Sequence, residues 1–223
     1  IDVKYAEENG IAVRNTPGAS SQSVAELAMG HMFACTRYIS IAGHTMREGK
    51  WEKKPTARAS SCRARLWHHR LRPHRSASGV MAKAVGMNVV AYSTTRRPEA
   101  EAKFGIPYVA LEELLAQSDF ISLHAPAAPG APLINADTIA KMKDGVVIIN
   151  TSRGANVDED ALLAALESSK VRAAGLDVYA DEPTANAALY SHPMVSCTPH
   201  IGAATVEAQK RIGTEIVDII RSF

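Results

Sequence analysis

The chain has 223 residues, 46% hydrophobic and 22% charged, a balance that supports a packed core in one large domain and excludes disorder throughout. No apolar run approaches the roughly 20 residues that cross a bilayer and no signal peptide opens the sequence, so neither a membrane span nor a secretory leader is expected. Three widely spaced cysteines, Cys35, Cys62 and Cys197, make neither a disulfide framework nor a metal-ligand pairing, which points to a reducing cytoplasm and to no metal site. The net charge of +2 is unevenly spread: no acidic residue falls between Glu52 and Glu99, while Arg58, Arg63, Arg65, Arg70, Arg72 and Arg75 crowd one segment. The sequence begins at Ile1 without Met, which suggests a fragment.

Taken in order, residues 2–9 read as a short helix stopped by Gly10, and 11–14 as a short strand. Pro17-Gly18 turns the chain. Ser23-Val-Ala-Glu26 is a capping-box pattern, whose hydroxyl and carboxylate can each satisfy a free backbone amide. One long helix is expected from there to about Glu48, with Leu27, His31, Ala34, Cys35, Tyr38 and Ile39 on a single stripe. Packing against a second subunit and burial within its own domain are both open for that stripe. Beyond Ala82 the rhythm is regular. Strands are predicted at 88–92, 119–124, 146–150 and 173–178, with a short apolar piece at Met194-Val195. Helices are predicted at 98–104 (closed by Gly105), about 111–115 and 135–142, one capped by Asp158 that carries Leu162, Leu163 and Leu166, and a last one at 206–220. Strands and helices alternating through short connections define a doubly wound parallel α/β sheet, a Rossmann-like nucleotide-binding domain.

Val146-Val-Ile-Ile149 has no polar alternation, as a strand covered on both faces requires. Thr151, Ser152 and Arg153 follow at its carboxyl end, the edge where ligands bind in open α/β sheets. Two more pieces reach that edge: Asp177 with Glu182 five residues on, and His200 in Thr198-Pro-His-Ile-Gly202. A histidine held by a carboxylate is a general acid/base, because the carboxylate fixes the tautomer and stabilises the imidazolium. A nearby arginine can clamp a substrate carboxylate through two parallel hydrogen bonds and polarise the adjacent carbonyl. Together these suit hydride transfer to a 2-keto acid with His200 as proton donor. Singly, each residue has a plainer reading: Arg153 and Glu182 as solvated loop residues, His200 as a turn histidine. The order of all three is what separates the readings.

Thr151-Ser-Arg-Gly with Val157-Asp158, Gly175-Leu-Asp-Val with Glu182-Pro183, and Thr198-Pro-His-Ile-Gly resemble the D-isomer-specific 2-hydroxyacid dehydrogenases. Residues 1–51 are most similar to the D-3-phosphoglycerate dehydrogenase branch of that family. The resemblance implies a catalytic set of Arg153, Glu182 and His200, a contact from Asp177 to the nicotinamide amide, and an adenosine-side segment at His124-Ala125-Pro126. It implies NAD or NADP as cofactor, a small 2-hydroxy or 2-keto acid (3-phosphoglycerate first) as substrate, and a homodimer formed through the nucleotide domain. By the same resemblance, residues 1–18 are a remnant of a substrate domain, 19–205 the nucleotide-binding domain, and 206–223 a helix returning toward the substrate domain, most of which is absent.

One part departs from the family. A strand, then Gly-x-Gly-x-x-Gly, then a helix should precede the strand at 88–92 by about 20 residues. What stands there is Leu66-Trp-His-His-Arg-Leu-Arg-Pro-His-Arg75, and no glycine occurs between Gly49 and Gly79. Arginines would occupy positions where backbone must touch phosphate. A basic nucleic-acid patch is one reading, and the less favoured one. The genetic code offers another. His68 to Arg75 can be written CAT CAT CGG CTT CGG CCG CAT CGG. One base later the same letters encode Ile-Ile-Gly-Phe-Gly-Arg-Ile-Gly, the missing fingerprint. The expectation is therefore a frameshifted window over about 57–80, with the first strand and the glycine loop disrupted. A regular central strand through His68 and His69 would argue against it.

At the end of the second strand, where an acid normally holds the ribose hydroxyls, Ser93, Thr94, Thr95, Arg96 and Arg97 stand instead. Ser93, Thr94 and Arg96 could accommodate a 2′-phosphate, a solvated loop before Pro98 being the plainer reading, so the protein with its glycine loop repaired is expected to accept NADP(H), with NAD(H) alongside, and Thr151 and Ser152 are also placed on the cofactor side. Two alternatives to an enzyme remain open at this level: a non-catalytic nucleotide-binding protein on the same fold, and a defective fragment with cofactor binding lost.

Overall fold

The computed structural model describes residues 2–16, 18–53, 77–126 and 130–222, and the backbone of 65–69. Six strands form one sheet in the order β2-β1-β3-β4-β5-β6, every neighbouring pair parallel. They are β1 (Arg65–His69), β2 (Asn88–Tyr92), β3 (Phe120–Leu123), β4 (Val146–Asn150), β5 (Val171–Leu176) and β6 (Val195–Cys197). The order reverses between β1 and β3, and the crevice at the carboxyl ends of such a switch point is where a nucleotide lies in doubly wound sheets.

Helices cover both faces. On one side α2 (Ser21–Arg37), α4 (Ala77–Ala84) and α5 (Pro98–Phe104) lie over a core of Met29, Met32, Ala82, Ile106, Phe120, Val147 and Ile149. On the other, α6 (Leu111–Gln117), α7 (Ala136–Ala140) and α8 (Glu159–Glu167) lie over Leu114, Ile121, Leu123, Ile148, Leu162 and Leu176. β4 therefore sends Val147 and Ile149 into one core and Val146 and Ile148 into the other, and all five of its residues are buried. Its run of β-branched residues is what a strand with two apolar faces requires.

The remaining helices are α1 (Val3–Glu8), α3 (Ile39–Arg47), α9 (Ala187–Tyr190) and α10 (Val206–Arg221). Asp2 caps α1 through the Tyr5 amide, and Gly10 follows at φ 68°. Asp158 caps α8 by accepting from the Ala161 amide, as its position before an apolar stripe implies.

Four sequence expectations are corrected. Residues 11–14 form no strand; the segment has no neighbouring strand and Ile11 is exposed. The long helix to Glu48 is two helices, α2 and α3, because Tyr38 takes a left-handed conformation at φ 55° between them. Ser23 is not its cap: α2 begins at Ser21, and the Ser23 hydroxyl pairs with that of Thr205 at 2.8 Å while Glu26 accepts from Gln22. The capping-box pattern is local, and the tertiary partner at Thr205 outcompetes it. The buried face of α2 packs on β4, β5 and β6 of its own domain.

The fourth correction concerns the window at 57–80. β1 pairs with β2 from Arg65 to His69 and with β3 from Leu66 to His68, and α4 starts at Ala77 with Ser78, Gly79 and Ala82 buried. The first strand is thus present and runs through His68 and His69, the result that argues against the frameshifted window. A parallel ladder uses main-chain groups, which arginine and histidine carry as well as valine does. β2 and β3 each offer an edge that only a strand between them satisfies. The glycine-poor loop, residues 70–76, lies outside the described residues.

Candidate active site

Three loops meet at the carboxyl edge of the sheet. The first leaves β4. Asn150 is fully buried at the strand's end and, like any buried amide, needs partners. It donates to the Arg153 carbonyl at 2.9 Å and accepts from the Ser152 amide at 3.1 Å and hydroxyl at 2.8 Å. Asn156, also buried, donates to the Ala125 carbonyl and to the Ser152 hydroxyl, both at 3.0 Å. These two asparagines fold Thr151–Arg153 into one shape and tie it to the segment after β3.

The second loop leaves β5. Its Tyr179 joins all three loops. The Tyr179 carbonyl lies where a Cβ on Gly154 would be, 1.7 Å from it, so only glycine lets the two loops approach this closely. The Tyr179 amide donates to Glu182 Oε1 at 3.1 Å, and its hydroxyl reaches the Thr198 carbonyl at 3.1 Å. Burial pushes that hydroxyl's pKa up to about 12, so it serves as a neutral donor. Glu159, in the first turn of α8, accepts from the Ala180 amide and the Asn186 side chain and closes the loop from outside.

The third loop follows β6 and carries His200, at φ 55°. His200 Nδ1 meets Glu182 Oε2 at 2.6 Å. The hydrogen bond from His200 holds the Glu182 carboxyl below its usual range, helped by the Tyr179 amide and by the charges of His200 and Arg153. Glu182 is therefore ionised across the neutral range and binds Nδ1 as an acceptor, leaving His200 Nε2 without a partner among the described residues. Arg153 is exposed, and its Nη1 donates to the Ser152 carbonyl at 2.6 Å. The structure thus brings Arg153, Glu182 and His200 to one place from three strand ends.

The expected cofactor residues divide. A cavity of about 340 Å³ is lined by His124, Pro126, Thr151, Ser152 and Arg153, together with Ser78 of α4 and Asn15, Thr16 and Ser20 from the opening segment. Ser78 and Ser122 hydroxyls both meet His124 Nε2, at 3.0 and 2.8 Å. The Thr151 hydroxyl is buried and has no protein partner among the described residues. A buried hydroxyl without a partner, on a residue lining a cavity beside a switch point, fits a sugar or amide group of a dinucleotide. Ser93, Thr94 and Arg96 do not line this cavity: Ser93 is buried and accepts from the Thr95 amide at 3.3 Å, while Thr94 and Arg96 are exposed. Asp177 is buried with both carboxylate oxygens engaged by the protein, Oδ1 by the Thr198 hydroxyl at 2.6 Å and the Ile201 amide at 2.9 Å, Oδ2 by the Gly202 amide at 2.9 Å.

Sequence reasoning passed over Asn150, Asn156, Tyr179 and Ser78. For Asn150 a signal was available, since a polar residue ending an unbroken apolar strand must be satisfied by something local. Among the described residues no group of three or more His, Cys, Asp or Glu is arranged to hold a metal, and no helix is long and apolar enough to cross a membrane.

A three-loop site of this kind, on a parallel sheet with a nucleotide-sized crevice, defines a dehydrogenase-type domain. Residues 76–202 match the model of the D-isomer specific 2-hydroxyacid dehydrogenase NAD binding domain, and the chain belongs to that family. It is 46% identical to hydroxypyruvate reductase of Thermotoga maritima over 99% of this chain and 72% of that protein. It is 38% identical to human D-3-phosphoglycerate dehydrogenase, of which it spans 42%. Among solved structures, a glyoxylate reductase from Paecilomyes thermophila superimposes with a TM-score of 0.91 at 38% identity, over 100% of this chain and 68% of that one. A D-lactate dehydrogenase from Aquifex aeolicus, complexed with NAD and lactic acid, does so with a TM-score of 0.86 at 30% identity, over 100% and 72%.

Proposed function

We propose that the chain carries the nucleotide-binding and proton-transferring half of an NAD(P)-dependent reductase acting on a small 2-keto acid, the product being the D-2-hydroxy acid. The observation that carries this reading is the 2.6 Å His200–Glu182 pair with Arg153 beside it. Residues 19–205 form the nucleotide domain in this reading, with 1–18 and α10 serving the substrate side.

When bound, NAD(P)H supplies the hydride. Arg153 holds the substrate carboxylate and draws electron density from the carbonyl. As charge develops on the carbonyl oxygen, His200 Nε2 delivers its proton there, and the new hydroxyl leaves His200 neutral. Glu182 holds the ring by Nδ1 and stabilises the charged imidazolium before transfer. The reverse reaction uses the same groups, with His200 taking the hydroxyl proton. Thr151, Ser152, His124, Pro126 and Asp177 are assigned to the cofactor, Ser93, Thr94 and Arg96 to a 2′-phosphate.

Hydroxypyruvate is the first substrate to test, because the 46% identical relative is a hydroxypyruvate reductase. Oxidation of 3-phosphoglycerate, with a place in serine biosynthesis, rests on the 38% identical phosphoglycerate dehydrogenases. A cytoplasmic homodimer completes the reading, with exposed Ile39 and Met46 of α3 and Trp51 beyond it available to a second copy. The experiment is NADH and NADPH oxidation by the full-length protein with its glycine loop restored (residues 68–75 as Ile-Ile-Gly-Phe-Gly-Arg-Ile-Gly), with hydroxypyruvate, glyoxylate and phosphohydroxypyruvate. Turnover with both cofactors is expected, since no acid follows β2. A strict preference for NADH would remove the 2′-phosphate assignment, and no turnover with any of the three acids would remove the reductase reading.

A further inference from the structure

One buried titratable group has no part in that mechanism. His31 lies on the inner face of α2, 3% exposed, with Nδ1 2.9 Å from the Ser196 hydroxyl and Nε2 3.0 Å from the Thr198 hydroxyl. It fits there because β5 has Gly175 opposite: a Cβ on Gly175 would come within 2.6 Å of the His31 Cβ.

The directions of these bonds follow from counting protons. Thr198 has one hydroxyl proton, and it goes to the Asp177 carboxylate at 2.6 Å, which can only accept. The Thr198 oxygen must then accept from His31, so Nε2 carries the proton. In the neutral ring Nδ1 is the acceptor and takes the Ser196 proton. The Ser196 oxygen in turn accepts from Ser40 at 3.1 Å. The result is a relay of one polarity from Ser40 on α3 through Ser196, His31 and Thr198 to Asp177. At its end Asp177 accepts the amides of Ile201 and Gly202, the two residues after His200.

We propose that His31 is a positioning residue for His200: by fixing the Thr198 hydroxyl on Asp177 it fixes the loop 198–202 from which His200 reaches Glu182. Burial holds the His31 pKa below its usual value, against the opposing charge of Asp177, so the neutral ring this polarity needs is the form present at neutral pH. The site then has support from behind: His200 is oriented by Glu182 at Nδ1, and its backbone by a hydrogen-bonded chain that starts at exposed Ser40 in another helix and is buried at Ser196, His31 and Asp177. The functional importance of the loop rests on the reductase reading, whereas the relay does not.

The test uses the chain itself, without cofactor or substrate. Nitrogen chemical shifts of ring-labelled histidine should show His31 neutral, with the proton on Nε2 and Nδ1 accepting. A proton on Nδ1 alone overturns the relay. Amide hydrogen exchange then reads the loop. Glutamine can accept from Ser196 through its oxygen and donate to Thr198 through its nitrogen, whereas leucine fills the space and does neither. In His31→Leu, exchange at Ile201 and Gly202 is expected to quicken about five- to tenfold, the loss of one hydrogen bond's worth of local stability, while the amides of β4 keep their protection. In His31→Gln both loop amides should stay near the unsubstituted rate. Unchanged protection in His31→Leu, or equal acceleration throughout β4, β5 and the loop in both variants, would reduce His31 to a packing residue. A failed relay leaves the reductase reading standing, and absent turnover leaves the relay standing.

Discussion

Replacing residues 68–75 by Ile-Ile-Gly-Phe-Gly-Arg-Ile-Gly, with the flanking residues in the same frame, is expected to raise NADH affinity by about 10²–10⁴-fold. The pyrophosphate of a dinucleotide binds to backbone amides at a helix N-terminus, and glycine is what lets it come close enough. Two amide hydrogen bonds to a charged group contribute roughly 3–6 kcal/mol together, at about 1.5–3 each. In the sequence as it stands, Arg70, Arg72 and Arg75 occupy the three glycine positions of the shifted reading. Their charge attracts phosphate, but any side chain at a position where backbone must meet phosphate takes room that glycine leaves open. The α4 helix that should receive the phosphate is in place from Ala77, and its Ser78 already faces the cavity. Calorimetric titration of both proteins with NADH measures the difference. Equal micromolar affinity in both would mean that the arginine-rich loop binds the cofactor by other means, and the frameshift proposal would then have nothing left to explain. The strand through His68 and His69 already counts against a frameshift over 57–80, so the replacement tests the glycine loop alone.

His200→Ala in the glycine-restored, full-length protein should lower turnover by about 10²–10⁴-fold, the range a positioned general acid or base contributes. Its NADH affinity should be nearly unchanged, because His200 lies in the β6 loop and does not line the 340 Å³ cavity. The effect belongs to kcat, since proton transfer stabilises the transition state more than the bound substrate. Loss of affinity with the chemical step intact would place His200 in the cofactor site instead. Single-turnover kinetics at saturating NADH separates the two outcomes.

The parts of this molecule readable from sequence were those governed by strong local rules. β4 was legible because only a strand with two apolar faces tolerates four β-branched residues in succession. Gly105 was legible because it closes α5 with a left-handed residue, at φ 58°. The break at Tyr38 was not, since a tyrosine in the left-handed region carries no sequence mark and the apolar stripe runs on across it. Ser23 misled for a related reason. A four-residue pattern cannot register a partner at Thr205, far along the chain. β1 was missed because its residues were judged by side chain, whereas its place depends on two neighbouring strands that lack an edge partner. At the site, Arg153, Glu182 and His200 were legible as residue types in order. The supports were not: the Gly154–Tyr179 approach, the two asparagines and the His31 relay depend on which loops meet, and that is decided by the sheet.

In the proposed function, three loops at the carboxyl edge of this sheet deliver a proton to the carbonyl oxygen of a 2-keto acid, and the bound cofactor would supply a hydride to the carbonyl carbon. The most direct measurement is the reduction of hydroxypyruvate by C4-deuterated NADH in the glycine-restored protein, followed by chiral analysis of the glycerate. The account predicts D-glycerate carrying deuterium at C2, formed by the restored protein and abolished to within about 10²–10⁴-fold by His200→Ala. Tight NADH binding with no deuterium in glycerate, or label in the L-isomer, would contradict it.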